Sequence, residues 1–309
     1  NSQDLLDQLV LKTTNTLSWW YKDDRYSKQI LSGDLETLRT FYMDRGYLNF
    51  DIQNTTVSIS ESKKDVFIAI IIEEGSKYKF GDITVSGDFY PLSEEDIFTE
   101  IKTVAGKTFK RSDISNSTEG INNKLGSFGY AFSNVNPIPN IDKKNLIVDF
   151  DFFVEPGQKV YVRRINFIGN ERTKDMVMRR EMRQLEASWY AKDKIDVSKF
   201  RLTRTQYFDN VDIQTSTVSG SSDQVDLDVK VIERNTGSIK VGAGVSSSEG
   251  VVGSFSVAQK NFLGTGNTVA VSFSTGSVNK VYSLSYTDPY FTQDGISRSL
   301  SVYSRERSE

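Results

Sequence analysis

The chain has 309 residues with no cysteine and no histidine, and 38 Lys+Arg against 41 Asp+Glu leave a formal charge of −3. Without cysteine there is no disulfide frame, iron–sulfur cluster or thiol nucleophile. Without histidine the common general base, the common zinc ligand and the Ser-His-Asp relay are gone as well.

The near-neutral balance implies no nucleic-acid partner. The longest apolar run, Val66 to Ile72, has the length of a strand and falls short of the ~18–20 residues of a membrane helix. That excludes membrane helices and leaves membrane β-strands open. A helical pattern opens at about 3–11 with no leader before it, which reads as a piece of a longer protein. Trp19-Trp20 reads as a packing anchor ahead of a second helix at about 34–45. Strands follow at 49–60 and 65–73. In the edge strand 50–60 the apolar phase slips between Ile52 and Val57, the signature of a bulge.

Residues 77–87 alternate as a strand and end at a turn on Gly87. Ser93-Glu-Glu-Asp96 has the form of a capping box, with Asp in the usual Glu position, and opens a short helix. Ile114, Ile121 and Leu125 line one face of a second helix that ends before Gly129. The strand around 133–140 contains Pro137 and Pro139, which cannot donate to a ladder, so it belongs at a sheet edge. Leu146 to Val154 reads as an apolar central strand. The next unit repeats this order: strand 160–168, a helix capped by Thr173, a helix capped by Asp196, strand 209–217, a turn at 220–223 and strand 225–233.

The repetition is also explicit in the residues. Gly75 recurs as Gly157, Ile83 as Ile165 and Gly87 as Gly169, a period of 82 residues that marks whole small domains. Each unit runs β-α-α-β-β, and the first lacks its opening strand, which again predicts a chain that starts upstream of Asn1. The joints at Glu74-Gly75 and Glu155-Pro-Gly157 are too short for free linkers, so restricted motion is expected.

After Arg234-Asn-Thr-Gly237 the texture changes to five alternating strands with short turns. In the first of them Ile239, Val241, Ala243 and Val245 alternate with Lys240, Gly242 and Gly244. Alternation alone leaves a soluble sandwich open. The polar face is Ser and Gly, however, and aromatics (Phe262, Tyr282, Tyr290, Phe291) gather near strand ends, which favours a lipid-facing exterior.

Several motifs stand out: Gly33-Asp-Leu-Glu-Thr-Leu-Arg39 running into Asp44-Arg-Gly-Tyr47, Phe167-Ile-Gly-Asn170, Arg179-Arg-Glu-Met-Arg183, Val231-Ile-Glu-Arg-Asn-Thr-Gly237 and Asn261-Phe-Leu-Gly-Thr-Gly266. In this order they resemble the BamA family of outer-membrane β-barrel assembly proteins. The resemblance implies tandem α+β POTRA modules, each a three-stranded sheet with two helices, followed by antiparallel strands of a truncated transmembrane β-barrel. The modules are the third at 1–75, the fourth at 76–157 and the fifth at 158–235, with the first five barrel strands at 236–309. It also implies an outer-membrane location with periplasmic modules, and insertion of other barrel proteins without cofactor, metal or catalytic residue.

Partner contacts are implied residue by residue. Ile52 and Gln53 would dock the lipoprotein BamB at the third module. Arg179 and Glu186, on a helix around 178–186 with Arg180 and Arg183 also outward, would dock the lipoprotein BamD at the fifth. Ile239, Val241, Ala243 and Val245 would lie on a lateral gate strand to which unfolded outer-membrane clients pair. Two other readings stay open: a two-partner-type secretion pore of the same superfamily, and a soluble periplasmic adaptor with a C-terminal β-sandwich. Asp23-Asp24 and Glu94-Glu95-Asp96 lack a calcium-loop pattern, and the Gly-x-Gly at 242–244 lies within a strand rather than before a helix.

Overall fold

A computed structural model describes residues 5, 9–11, 27–62 and 65–307. The chain divides into two units, Asn1–Leu125 with Phe132–Gly157, and Gly126–Ala131 with Gln158–Glu309. Of the helix expected at 3–11, Leu5 is helical, residues 9–11 are not, and the rest lies outside the described residues, as do Trp19-Trp20 and Asp23-Asp24.

In the first unit, helix α1 (Lys28–Met43) buries Leu31, Leu38 and Tyr42 on one stripe, together with Asp34. The Asp34 carboxylate accepts the backbone N–H groups of Val10 and Leu11 at 2.8 and 2.9 Å, which satisfies its buried charge. The helix begins six residues ahead of the expected 34 because Gly33 is accommodated inside it and Leu31 joins its core stripe. Strands β1 (Asp51–Ile59) and β2 (Val66–Glu73) form an antiparallel pair. Then come β3 (Lys79–Gly87), α2 (Glu94–Glu100), α3 (Arg111–Ser127), β4 (Asn134–Asp142) and β5 (Ile147–Glu155).

Their sheet has the order β3-β5-β4, with β5 parallel to β3 and antiparallel to β4. Pro137 and Pro139 therefore sit on an edge strand and β5 is central, as the sequence predicts. Ser93 and Asp96 close the capping box reciprocally, each side chain accepting the other's backbone N–H at 3.1 Å. Across the Glu74-Gly75 joint, Tyr78 N–H donates to Gly46 O at 2.8 Å and Asp44 accepts Ser112 N–H at the start of α3. Tyr42 stacks on Phe50 and donates to Glu74, and burial together with that carboxylate pushes its hydroxyl up to about 12. The Tyr78 and Ser112 bonds connect the residues on either side of the joint.

The second unit holds β6 (Tyr161–Ile168), α4 (Asp175–Arg179), β7 (Ser188–Trp189), α5 (Lys192–Arg204), β8 (Phe208–Thr217) and β9 (Gln224–Glu233). Its sheet has four strands, β7-β6-β9-β8, where three are expected, because Trp189 pairs with Tyr161 at the edge and their rings stack at 3.7 Å. Two helix starts also differ. Lys174, not Thr173, is the N-cap of α4, and the Thr173 side chain is turned to another use described below. Helix α5 begins at Lys192 after Ala191, so Asp196 lies a turn inside it, paired with Lys192. The buried Gln184 secures that start instead, accepting Ala191 N–H at 2.9 Å and donating to Trp189 O.

The repeated glycine at Gly87 and Gly169 has a steric cause. Both have positive φ (95° and 90°), and a Cβ would stand 2.3 Å from Val154 O and 2.2 Å from Val231 O.

Beyond β9 the chain forms a five-stranded antiparallel meander, β10 (Gly237–Ser246), β11 (Gly250–Gln259), β12 (Thr268–Thr275), β13 (Asn279–Asp288) and β14 (Arg298–Arg307). Strands of eight to ten residues are near the ~9–11 that cross a bilayer. Register places Ile239, Val257, Val271, Leu284 and Val302 in one continuous row, and Lys240, Ser256, Ser272, Ser283 and Tyr303 in the row of opposite phase.

Candidate functional site

Strand β1 is a bulged edge. It pairs with β2 alone among the described residues, and the register jumps between Ile52 and Asn54, which leaves Gln53 as the extra residue. The bulge predicted between Ile52 and Val57 is therefore present at Gln53. Its side-chain amide donates to Glu73 at 2.6 Å, while Ile52 is half-buried on the opposite phase. The far side of β1 offers main-chain N–H and C=O groups to an added strand.

Arg179 and Glu186 meet by a route other than the expected one. Met178 and Met182 are both buried, as their spacing implies, but α4 stops at Arg179 and no helix carries the chain on to Glu186. The chain turns through Ala187, whose φ is +54°, to enter β7. The turn brings Arg179 Nη1 to 3.1 Å from Glu186 Oε1 with both side chains half exposed. Glu186 also accepts Ile165 N–H at 2.8 Å, and that bond, with the Arg179 charge, holds its carboxyl below the usual range. Arg179 further reaches Ile165 O and lies over the Phe167 ring at 5.0 Å. Arg180 is not outward as expected. Its side chain is 18% exposed and its guanidinium lies 4.2 Å from the centre of the Tyr290 ring.

Strand β10 carries in one phase the four residues expected on a gate strand: Ile239, Val241 and Val245 are 71%, 79% and 86% exposed, and Ala243 is exposed. They face Val257, Phe255, Val251 and Gly253 on β11, its one partner among the described residues. Gly242 and Gly244 fall in the other phase and leave little side chain to stiffen the strand.

A fourth site joins residues that sequence reasoning left as family signatures. Glu233, from Val231-Ile-Glu-Arg-Asn-Thr-Gly237, accepts Thr173 N–H at 2.7 Å and Arg172 N–H at 3.0 Å. Burial works against its charge, but these bonds and the Arg172 guanidinium prevail and hold its carboxyl below the usual range. The Asn261-Phe-Leu-Gly-Thr-Gly266 turn between β11 and β12 docks on the same segment. Asn261 donates to Thr173 Oγ1 at 2.8 Å, Gly264 O accepts Lys174 N–H at 3.0 Å and Tyr207 donates to Gly266 O at 2.9 Å.

The next turn on that end, between β13 and β14, is held too. Arg201 bridges Glu181 and the Tyr290 hydroxyl, each at 2.8 Å, and burial beside Glu181 pushes that hydroxyl up. Tyr290, expected among the interfacial aromatics, instead packs against the arginines of the preceding module. The available signal was the glycine and asparagine content of these motifs, which strand alternation does not require.

The POTRA family, described as a surface antigen variable number repeat, matches residues 2–75, 78–157 and 160–234, and the Omp85 superfamily domain matches 261–309. Outer membrane protein assembly factor BamA of Neisseria meningitidis is 35% identical over 307 residues, 99% of this chain and 38% of that protein. The factor of the same name from Buchnera aphidicola is 32% identical, over 91% of this chain and 46% of that protein. The chain thus spans less than half the length of these curated relatives. Among solved structures, Haemophilus ducreyi BamA lacking POTRA domains 1-3 superposes with a TM-score of 0.66 at 35% identity, covering 74% of this chain and 43% of that one. Haemophilus influenzae BamA POTRA3-5 also gives 0.66, at 30% identity over 75% of this chain and 91% of that one. With three matched repeats ahead of the start of an Omp85 domain, the chain belongs to the POTRA family and is similar to BamA.

Proposed function

We propose that this chain is the membrane-proximal periplasmic arm and the first five barrel strands of a factor that folds and inserts β-barrel proteins into the outer membrane. Its modules are the third at 1–75, the fourth at 76–157 and the fifth at 158–235, with barrel strands from 236. The observation that carries the reading is β10, an extended strand paired on one side only among the described residues and placed directly after the last module. A client strand adds to such an edge through main-chain hydrogen bonds, which read backbone rather than side chain and so serve many clients. Strand β10 acts as a lateral gate, and Gly242 and Gly244 weaken its hold on a closing partner.

Partner docking uses the other two surfaces. The bulged edge at Ile52 and Gln53 receives BamB, and the half-exposed Arg179–Glu186 pair receives BamD through charge-assisted bonds. Strand pairing needs no cofactor and no catalytic side chain.

The test uses the full-length protein with photocrosslinkers at 239, 241, 243 and 245 during client assembly. Trapping of a nascent barrel is expected, and a gate strand that never traps one refutes the reading. For BamD, Arg179→Glu weakens co-purification, whereas unchanged co-purification removes that contact. Arg179→Gln separates two causes, because it removes the cation and leaves Glu186 bonded to Ile165 N–H. Binding falls if the partner reads that charge and holds if it reads only the local fold.

A further inference from the structure

Beside the first turn of the barrel lies a cleft of about 450 Å³ lined by Arg172, Glu233 and Arg234 together with Asn261, Phe262 and Leu263. Strand pairing makes no use of it. Its lining carries two arginines against one carboxylate, and that carboxylate, Glu233, with a side chain 9% exposed, is already engaged by two backbone N–H groups. Arg172 approaches that carboxylate only through Nε at 3.6 Å and is 73% exposed, and its two Nη groups have no partner among the described residues. Arg234 touches the exposed Asp209 through Nε at 3.4 Å and is itself half exposed.

Phe262 and Leu263 supply the apolar part of the lining, and the backbone there is strained. Leu263 has φ +51°, uncommon for a bulky residue, and is 77% exposed, with Phe262 beside it at 39%. A strained backbone that presents a leucine outward gains nothing in water. Position supplies the reason. Gln259 also lines the cleft and pairs with Gly237 where β10 begins, and the apolar row of Ile239 and Val257 starts two residues further along both strands. An apolar tip level with the end of a membrane strand, backed by arginines on the water side, is the arrangement of an interfacial lipid contact.

We propose that this cleft seats the phosphate headgroup of an anionic phospholipid of the periplasm-facing leaflet. Arg172 and Arg234 hold the phosphate, and Leu263 and Phe262 lie along the first part of the acyl chain. The inference rests on the barrel reading of β10–β14 and places a bound lipid at the foot of β10.

Native mass spectrometry of the full-length protein in detergent, titrated with phosphatidylglycerol and separately with inorganic phosphate, tests it. Arg172→Glu with Arg234→Glu is expected to weaken retention of one phosphatidylglycerol by more than the roughly 30-fold that the loss of two juxtamembrane cations alone would cost. Leu263→Asp weakens it as well. Arg163→Glu, on the outer sheet face of the same module, leaves it unchanged.

If the charge-reversed pair fails to fold, shown by altered heat-dependent gel migration, Arg172→Gln with Arg234→Gln carries the same comparison. Equal retention in the folded variants overturns the proposal. So does a site filled by inorganic phosphate alone and indifferent to Leu263→Asp. Lost retention with client assembly intact leaves the assembly reading standing, and lost assembly with retention intact breaks only that reading.

Discussion

The central strands of the module sheets and the strands of the meander share one period and end in opposite environments. In β5 and β9 the apolar phase is sealed, with Val148, Phe152, Val154, Val225, Leu227 and Val229 all 0% exposed. The other phase of the same strands carries aspartates that bond across the sheet. Asp149 accepts Asp82 N–H, Asp151 accepts the Thr84 and Ser86 hydroxyls, Asp226 pairs with Arg163 and Asp228 accepts from Asn166. In β10–β14 the apolar phase stays open and the opposite phase is small and uncharged over much of its length, as in the hydrogen-bonded Ser272 and Ser283. Period two therefore says that one face is apolar and leaves open what covers it. The cover is written in the polar phase: aspartates for water beside a helix-packed core, serine and glycine for the far side of a lipid-facing wall.

Four substitutions test this contrast. The largest effect is expected from Phe152→Ala, which opens a cavity in a sealed sheet and should cost about 3–5 kcal/mol in urea unfolding. A loss under about 1 kcal/mol would mean that β5 is not the core strand described here. Val271→Arg comes next. It lies in the open row between Val257 and Leu284 and should cost about 2–4 kcal/mol for barrel folding into lipid. In a water-facing sheet the same change would stay within about 0.5 kcal/mol, so a neutral result removes the membrane reading.

Gly264→Ala acts where the two regions meet. Its φ is +71° and a Cβ would stand 1.8 Å from Arg172 O, so the backbone penalty alone is about 1–2 kcal/mol. Faster hydrogen exchange at Lys174 N–H, the donor to Gly264 O, is the expected sign that the turn has left the module. Unchanged protection there would show that the turn is held by other contacts. The smallest effect, about 1 kcal/mol, is expected from Ser93→Ala in the capping box, read as a shift in the urea midpoint of the fourth module.

Much of the fold was legible because its determinants are local. Ser93 and Asp96 are three residues apart and satisfy each other. Pro137 and Pro139 exclude a central strand by their own chemistry. The slip of phase after Ile52 needs only its neighbours to be read as a bulge. The candidate sites were legible in part. Ile52, Gln53 and the β10 residues follow from strand phase, whereas the helix drawn through Met178 to Glu186 does not exist beyond Arg179. The two methionines are buried with or without a helix between them, so their spacing did not distinguish the two cases.

By itself the sequence determined the modular repeat, the edge strands, the bulge and the change of texture at Gly237, because backbone dihedral preference and period-two phase act over a few residues. Only the tertiary structure decided that Ser188–Trp189 adds a fourth strand, that Arg179 is paired with Glu186, and that Tyr290 sits between arginines rather than at a lipid interface. It also decided that the motif ending β9 and the turn after β11 converge on Thr173. These contacts join residues seven to 110 positions apart. They depend on strand register and on the packing of one element against another, which no short window of sequence contains.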